Sequence, residues 1–132
     1  MAGEFIVRVR IEPGYALATL VGELGLATAP VLRERVSELL AARHPLVIDL
    51  DQLGFVDATG LGVLVGAAKR AQAAGVHLRL VCARQRTWRL LQITGLDRRL
   101  PLARTLAEAR ASLPPANGRR PSAARSRPPR PR

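Results

Sequence analysis

The sequence predicts an α/β fold with a mixed sheet of four or five strands, an N-terminal β-hairpin and about four helices. Three observations predict it. The first residues alternate between apolar and polar side chains, residues 46–50 (LVIDL) are apolar on both faces except at Asp49, and helix-like and strand-like stretches alternate from residue 28 onward. Strands that alternate with helices after a hairpin are typical of a sheet whose parallel strands are joined by right-handed crossovers.

The hairpin is predicted from residues 5–24. Residues 5–11 (FIVRVRI) have the period of a strand with one wet face. Pro13 and Gly14 predict a turn, and residues 15–24 (YALATLVGEL) predict the antiparallel second strand. The apolar face of the first strand holds Phe5, Val7, Val9 and Ile11.

The first helix is predicted to begin at Thr28 as N-cap, with Pro30 in its first turn. It ends before His44 and Pro45, because the residue before proline is pushed out of the helical conformation. Residues 46–50 then predict a central strand covered on both faces. The apolar stripe of this helix is Leu32, Val36, Leu39 and Leu40.

Two further strand–helix units follow. A second helix is predicted to end at Gly75, a strand lies within residues 76–82, and a helix over residues 88–94 ends at Gly95. Residues 98–102 predict a short edge strand. Thr105 and Glu108 have capping-box spacing, which predicts a last helix up to Leu113. The apolar stripe of the second helix is Leu61, Leu64, Val65, Ala68 and Ala71.

Length and composition predict one domain, residues 1–113, and a tail, residues 114–132. The tail contains six Arg, six Pro and no acidic residue, so a disordered basic tail is predicted. The alternative is nonspecific contact with nucleic acid or an acidic partner. Because aromatic residues are few, nucleic-acid binding is not predicted as the main function. We expect a cytoplasmic protein without a membrane partner, since no signal peptide or spanning segment is evident.

Catalytic and metal-binding patterns are not found, and we predict neither an enzyme nor a cofactor. Cys82 is the only cysteine, in an apolar run that predicts a buried thiol. There is no G-x-S-x-G or G-K-[ST], and the glycines of residues 60–66 do not have dinucleotide spacing. Asp49, Asp51 and Asp57 could surround a magnesium ion, but no phosphate-binding lysine accompanies them.

Residues 57–60 (DATG) interrupt the pattern where a strand gives way to a helix. Asp57 and Thr59 are both N-cap residue types, so this stretch could simply start the helix. It could also present a hydroxyl for modification. The residues alone leave both interpretations open.

Several motifs together resemble the STAS domain of small bacterial anti-sigma factor antagonists. They are Asp49-Leu50, the stretch DATGLG at 57–62, Thr94-Gly95-Leu96, and residues 20–36 (LVGELGLATAPVLRERV), which resemble the family's Gly-Glu-Leu-Asp segment and first helix. The resemblance spans residues 5–113 and implies a STAS-like fold.

The resemblance implies a partner switch that controls transcription, as in a stress response. Such proteins bind an anti-sigma factor that is also a serine/threonine kinase. Phosphorylation abolishes that binding, and a PP2C-type phosphatase restores it. By resemblance the phosphorylated residue is Thr59. The implied partner-binding residues are Glu23, Gly25, Asp57, Ala58, Thr59, Gly60 and Leu61.

Two positions depart from the family pattern. Ala58 replaces the first Ser of the motif, and Gly25 replaces the Asp of Gly-Glu-Leu-Asp. These departures keep open a second role implied by the resemblance: a STAS subunit of a stress-signalling scaffold or of a lipid-transporting ABC complex.

Overall fold

The structure is a computed structural model and describes residues 4–115. The prediction of a disordered tail therefore concerns residues that lie almost entirely outside the described part. Within residues 4–115, five strands and four α-helices follow one another, with one short 3-10 helix at Leu96–Arg98. In chain order they are β1 Phe5–Glu12, β2 Tyr15–Leu24, α1 Ala29–Ala41, β3 Leu46–Val56, α2 Ala58–Ala74, β4 Leu78–Val81, α3 Gln85–Ile93, β5 Leu102–Ala103 and α4 Leu106–Ala111.

The sheet confirms the predicted fold class. Its strands lie in the order β1-β2-β3-β4-β5. β1 and β2 are antiparallel, as a hairpin requires, and each later neighbour is parallel to the strand before it. α1 connects β2 to β3 and α2 connects β3 to β4, so β3 lies in the centre of the sheet.

The sheet is covered on both faces at β3. Leu46, Ile48 and Leu50 belong to the main core, which α1 and α2 complete, whereas Val47 belongs to a smaller cluster that includes Ala109 of α4. This alternation explains why residues 46–50 read as apolar on both faces. Within residues 4–115 no helix is both long and apolar enough to cross a membrane.

Several boundaries differ from the predictions. The predicted edge strand at 98–102 exists as β5, but it is shorter and starts later than predicted: Leu96–Arg98 is a 3-10 helix, and the strand is only Leu102–Ala103. α3 starts three residues earlier than predicted, and β3 continues to Val56. The apolar periodicity of 46–50 breaks at Asp51, so the second half of β3 gave no strand signal. It exists because β2 pairs with it.

The helix stripes and one strand face were predicted only in part. Val63 and Ala67 are buried in α2, although neither was assigned to its stripe, and Ile11 is 66% exposed. α2 packs against both the sheet and α1, so it buries a wider stripe than periodicity alone indicates. Ile11 lies next to the hairpin turn, where the core ends.

Cys82 is buried, as predicted. Burial, with a smaller contribution from the Asp51 carboxylate, raises the pKa of its thiol from 9.0 to about 11. We expect no reaction with Ellman's reagent near pH 8 in the native protein, and one thiol per chain in denaturant. Because the folded state holds the proton more tightly, stability should also fall as the pH rises from 9 toward 11. A full native thiol count near pH 8 would contradict this.

Candidate functional site

The site lies at the turn from β3 into α2. Asp57 is the N-cap of α2 in extended conformation, and its Oδ1 accepts a hydrogen bond from the Gly60 N–H at 2.9 Å. Its own N–H donates to the Leu24 carbonyl at 3.1 Å. The first turn of the helix is therefore tied to the end of β2. Of the two N-cap candidates, Asp57 is the one that caps, which leaves Thr59 free of that role.

The other oxygen of Asp57 reaches the loop between β2 and α1. Oδ2 accepts from the Leu26 N–H at 3.3 Å. Gly25 leaves the space for this contact, because a Cβ there would lie 2.7 Å from Oδ2. The aspartate that the family pattern has at position 25 would therefore displace the Asp57 carboxylate in this chain. Gly25, which departs from the family pattern, thus leaves room for the Asp57 carboxylate.

Thr28 fixes the same loop, but not as predicted. It stands at the N-cap position of α1, yet its side chain makes no cap hydrogen bond. Instead Oγ1 accepts from the Gly25 N–H at 3.0 Å and donates to the Glu23 carbonyl at 2.8 Å. The backbone there is already helical at Thr28, so its hydroxyl points back into the loop. The loop is thus held from both sides, by Thr28 and by Asp57.

Thr59 is the second residue of α2 and is partly exposed. Ala58 before it and Gly62 after it are exposed, so this face of the first turn is open. Among the described residues, the Thr59 hydroxyl has no hydrogen-bond partner. The first N–H groups of a helix have no backbone acceptor within it, and of these the Asp57 side chain accepts only from that of Gly60. An anion on Thr59 would lie at the positive end of the helix.

The remaining predicted partner-binding residues divide into two groups. Glu23 is exposed at the end of β2, next to Phe55 of β3. Gly60 and Leu61 are buried, so they position the turn and do not offer side chains to a partner. The structure also exposes two apolar residues that the sequence analysis did not include. Leu26 is 76% exposed and Phe55 52% exposed, and no periodicity marks either of them.

The aspartates considered for magnesium bind backbone groups instead. Asp49 accepts from the Asp51 N–H at 2.8 Å, and Asp51 accepts from the Ala83 N–H at 2.7 Å. Burial raises the pKa of Asp49, and the hydrogen bond from Asp51 partly offsets this effect. In the described part of the chain, no three His, Cys, Asp or Glu side chains are grouped to hold a metal ion.

The comparison with protein families decides what kind of protein this is. The STAS domain model matches residues 7–109. The chain belongs to the STAS domain family. It is 40% identical over 77 residues to the anti-sigma-B factor antagonist of Bacillus subtilis, covering 58% of this chain and 71% of that protein. It is 32% identical to the anti-sigma-F factor antagonist RsfB of Mycobacterium tuberculosis, covering 78% and 84%.

Solved structures agree with this assignment. An anti-sigma factor antagonist from Mycobacterium paratuberculosis superposes on this STAS domain with a TM-score of 0.76 at 28% identity, covering 83% of this chain and 94% of that one. Bacillus SpoIIAA in its phosphorylated form has a TM-score of 0.59 at 20% identity, covering 82% and 97%, and shares the fold. The chain is thus a member of the anti-sigma factor antagonist family, whose members are regulators and not enzymes.

Asp57 gives a direct test of how the turn is held. Asp57→Ala removes the acceptor for both Gly60 and Leu26, so we expect unfolding to become easier by about 1 to 2 kcal/mol. Asp57→Asn keeps one side-chain oxygen as an acceptor, so its free energy of unfolding should fall by less. Urea denaturation of both variants, with the m-value checked, measures this. Equal stability of Asp57→Ala and wild type would contradict the role assigned to the carboxylate.

Proposed function

We propose that this STAS protein is a phosphorylation-controlled anti-sigma factor antagonist in the cytoplasm. Unmodified, it binds an anti-sigma factor through the first turn of α2 and the loop at Leu26. The anti-sigma factor is also a kinase: Thr59 Oγ1 forms a bond to the γ-phosphorus of ATP, ADP leaves, and the hydroxyl proton passes to the kinase. A PP2C-type phosphatase removes the group. The observation that supports this most is the partly exposed hydroxyl of Thr59, which has no hydrogen-bond partner within residues 4–115 and lies in the turn that Asp57 caps.

The fold tolerates the phosphate, whereas a docked partner does not. Phosphate adds about −1.5 to −2 charges at a helix N-terminus, where the dipole favours negative charge. In an interface over the turn, the same charge adds to that of Asp57. Two like charges about 4 Å apart repel by roughly 1 kcal/mol in water and about 4 kcal/mol in a shielded interface. A repulsion energy near 3 kcal/mol, within this range, lowers the affinity for the anti-sigma factor about a hundredfold.

The experiment is a binding and phosphorylation assay with purified anti-sigma factor kinases from the organism that encodes this chain. We expect one of them to bind the unmodified protein and, with Mg-ATP, to add one phosphoryl group. Peptide mass spectrometry should place it on Thr59, and Thr59→Ala should not be modified. The isolated phosphoprotein should bind weakly until a PP2C-type phosphatase has acted.

The same assay separates the switch from the alternative of a permanent STAS subunit. A subunit of a scaffold or of an ABC complex would keep its partner whether or not Thr59 is modified. Modification elsewhere in the chain, or equal affinity of the modified and unmodified forms, would overturn the proposed function.

A further inference from the structure

A second surface lies beside the turn, in a cleft of about 620 Å³ between the end of β3 and α3. It exists because β3 is longer than its neighbour. β4 pairs with β3 only as far as Asp49, so within the described residues the rest of β3, up to Val56, has a strand partner on the β2 side alone. On the other side α3 faces it across the cleft. The guanidinium of Arg84 donates to the Leu53 carbonyl at 2.6 Å and connects the two walls.

The cleft is apolar and open. Phe55 on one wall is 52% exposed and Ile93 on the other is 75% exposed, and Leu90 of α3 also lines the cleft. Single exposed apolar side chains are common on protein surfaces. Apolar side chains that line both walls of a cleft instead mark an interaction site.

The rim of the cleft is basic. Arg84, Arg86 and Arg89 line it, and no acidic side chain does so among the described residues. The first turn of α3 contains no acidic residue either. Arginines near a helix N-terminus add to the positive end of the helix dipole. The Asp51 carboxylate accepts from the Ala83 N–H just before α3, so one carboxylate stands against three arginines. The charge therefore selects an acidic occupant.

The positive charge of the rim excludes two possible occupants of the cleft. Residues 116–132 of the same chain contain six Arg and no acidic residue, so they would be repelled. In a two-fold contact a second copy would bring the same arginines against themselves, and the whole chain has a net charge of +11. The occupant is therefore another protein with an acidic segment.

The cleft is continuous with the turn that contains Thr59, because Val56 lines the cleft and Asp57 begins the turn. We propose that the cleft binds an acidic segment with apolar side chains from the same anti-sigma factor that contacts Thr59. This inference rests on the proposed function. The partner then has two contacts: phosphorylation controls the one at Thr59, whereas the cleft supplies affinity that does not depend on modification.

Matched substitutions test the cleft. Ile93→Ser is compared with Ile11→Ser, since both isoleucines are exposed but Ile11 lies next to the hairpin turn, at the opposite end of the sheet. Arg89→Glu is compared with Arg98→Glu, which makes the same change in charge outside the cleft. Calorimetry with the anti-sigma factor identified above should give about tenfold weaker binding for the two cleft variants and less than about twofold change for the controls. The loss in Arg89→Glu should shrink at high salt.

The outcomes separate the two proposals. If Ile93→Ser binds as tightly as Ile11→Ser, the cleft inference is overturned while the switch at Thr59 stands. If phosphorylation of Thr59 leaves affinity unchanged but Ile93→Ser weakens it, the switch fails and the cleft stands. If Arg89→Glu lowers affinity for duplex DNA and not for the anti-sigma factor, the cleft binds nucleic acid, which overturns the inference. If no anti-sigma factor binds the wild-type protein, both are overturned.

Discussion

Thr59→Glu is expected to bind the anti-sigma factor about thirtyfold more weakly than wild type, with little change in melting temperature. A carboxylate at position 59 places one negative charge beside Asp57, on the open face of the first turn of α2. One such repulsion, taken at about 2 kcal/mol, corresponds to this loss. Within the free protein the charge lies at a helix N-terminus, where it is favourable. Titration calorimetry and thermal unfolding measure the two effects separately.

Thr59→Gln is the matched control, because glutamine has the size of glutamate without its charge. It should bind nearly as well as wild type, and Thr59→Ala should bind constitutively in the presence of ATP. If glutamine weakens binding as much as glutamate does, the turn responds to bulk and not to charge. Equal affinity of Thr59→Glu and wild type for the anti-sigma factor would contradict the proposed switch.

Gly60→Ala is expected to make unfolding easier by about 2 to 3 kcal/mol, the largest stability effect that we predict. A Cβ at position 60 would lie 2.6 Å from the carbonyl oxygen of Leu24 and 2.8 Å from its Cγ. The same carbonyl accepts the hydrogen bond from the Asp57 N–H. Backbone at the end of a buried strand cannot move aside, so the start of α2 must shift, and overpacking of this kind costs about 1 to 3 kcal/mol. In a domain of this size the melting temperature should fall by about 10 °C or more.

Gly62→Ala is the control for this prediction. It makes the same substitution two residues along the helix, where a Cβ would meet nothing within 4 Å. Alanine favours the helix there, so stability should rise by about 0.5 to 1 kcal/mol. Thermal and urea unfolding of the pair isolate the close approach at Gly60 from helix propensity. A stable Gly60→Ala protein would show that α2 can pack farther from β2.

The turn from β3 into α2 has two faces. The inner face, Gly60 and Leu61, is buried against the end of β2 and holds the helix in place. The outer face, Ala58 and Thr59, is open. Asp57 joins them, because it caps the helix and binds the loop at Leu26. A rigid inner face lets a charge added on the outer face alter binding without altering the fold.

The order of strands and α-helices, the hairpin, the doubly covered central strand, the end of α1 before Pro45 and the cap of α2 at Gly75 could be predicted from the sequence. These features depend on hydrophobic periodicity and on turn or cap residues, which act over a few neighbouring positions. The location of Thr59 at the start of a helix was predictable for the same reason. The resemblance to a family added the prediction that Thr59 is the phosphorylated residue.

Other features were decided only by the tertiary structure. The hydrogen bond between Leu26 and Asp57 joins residues 31 positions apart, and the close approach of Gly60 to Leu24 is equally non-local. The cleft exists because β3 continues past the end of β4, a difference that no periodicity records. Such contacts depend on how far strands extend past one another and which loops then meet. Local sequence patterns contain no information about that, whereas packing of the whole chain determines it.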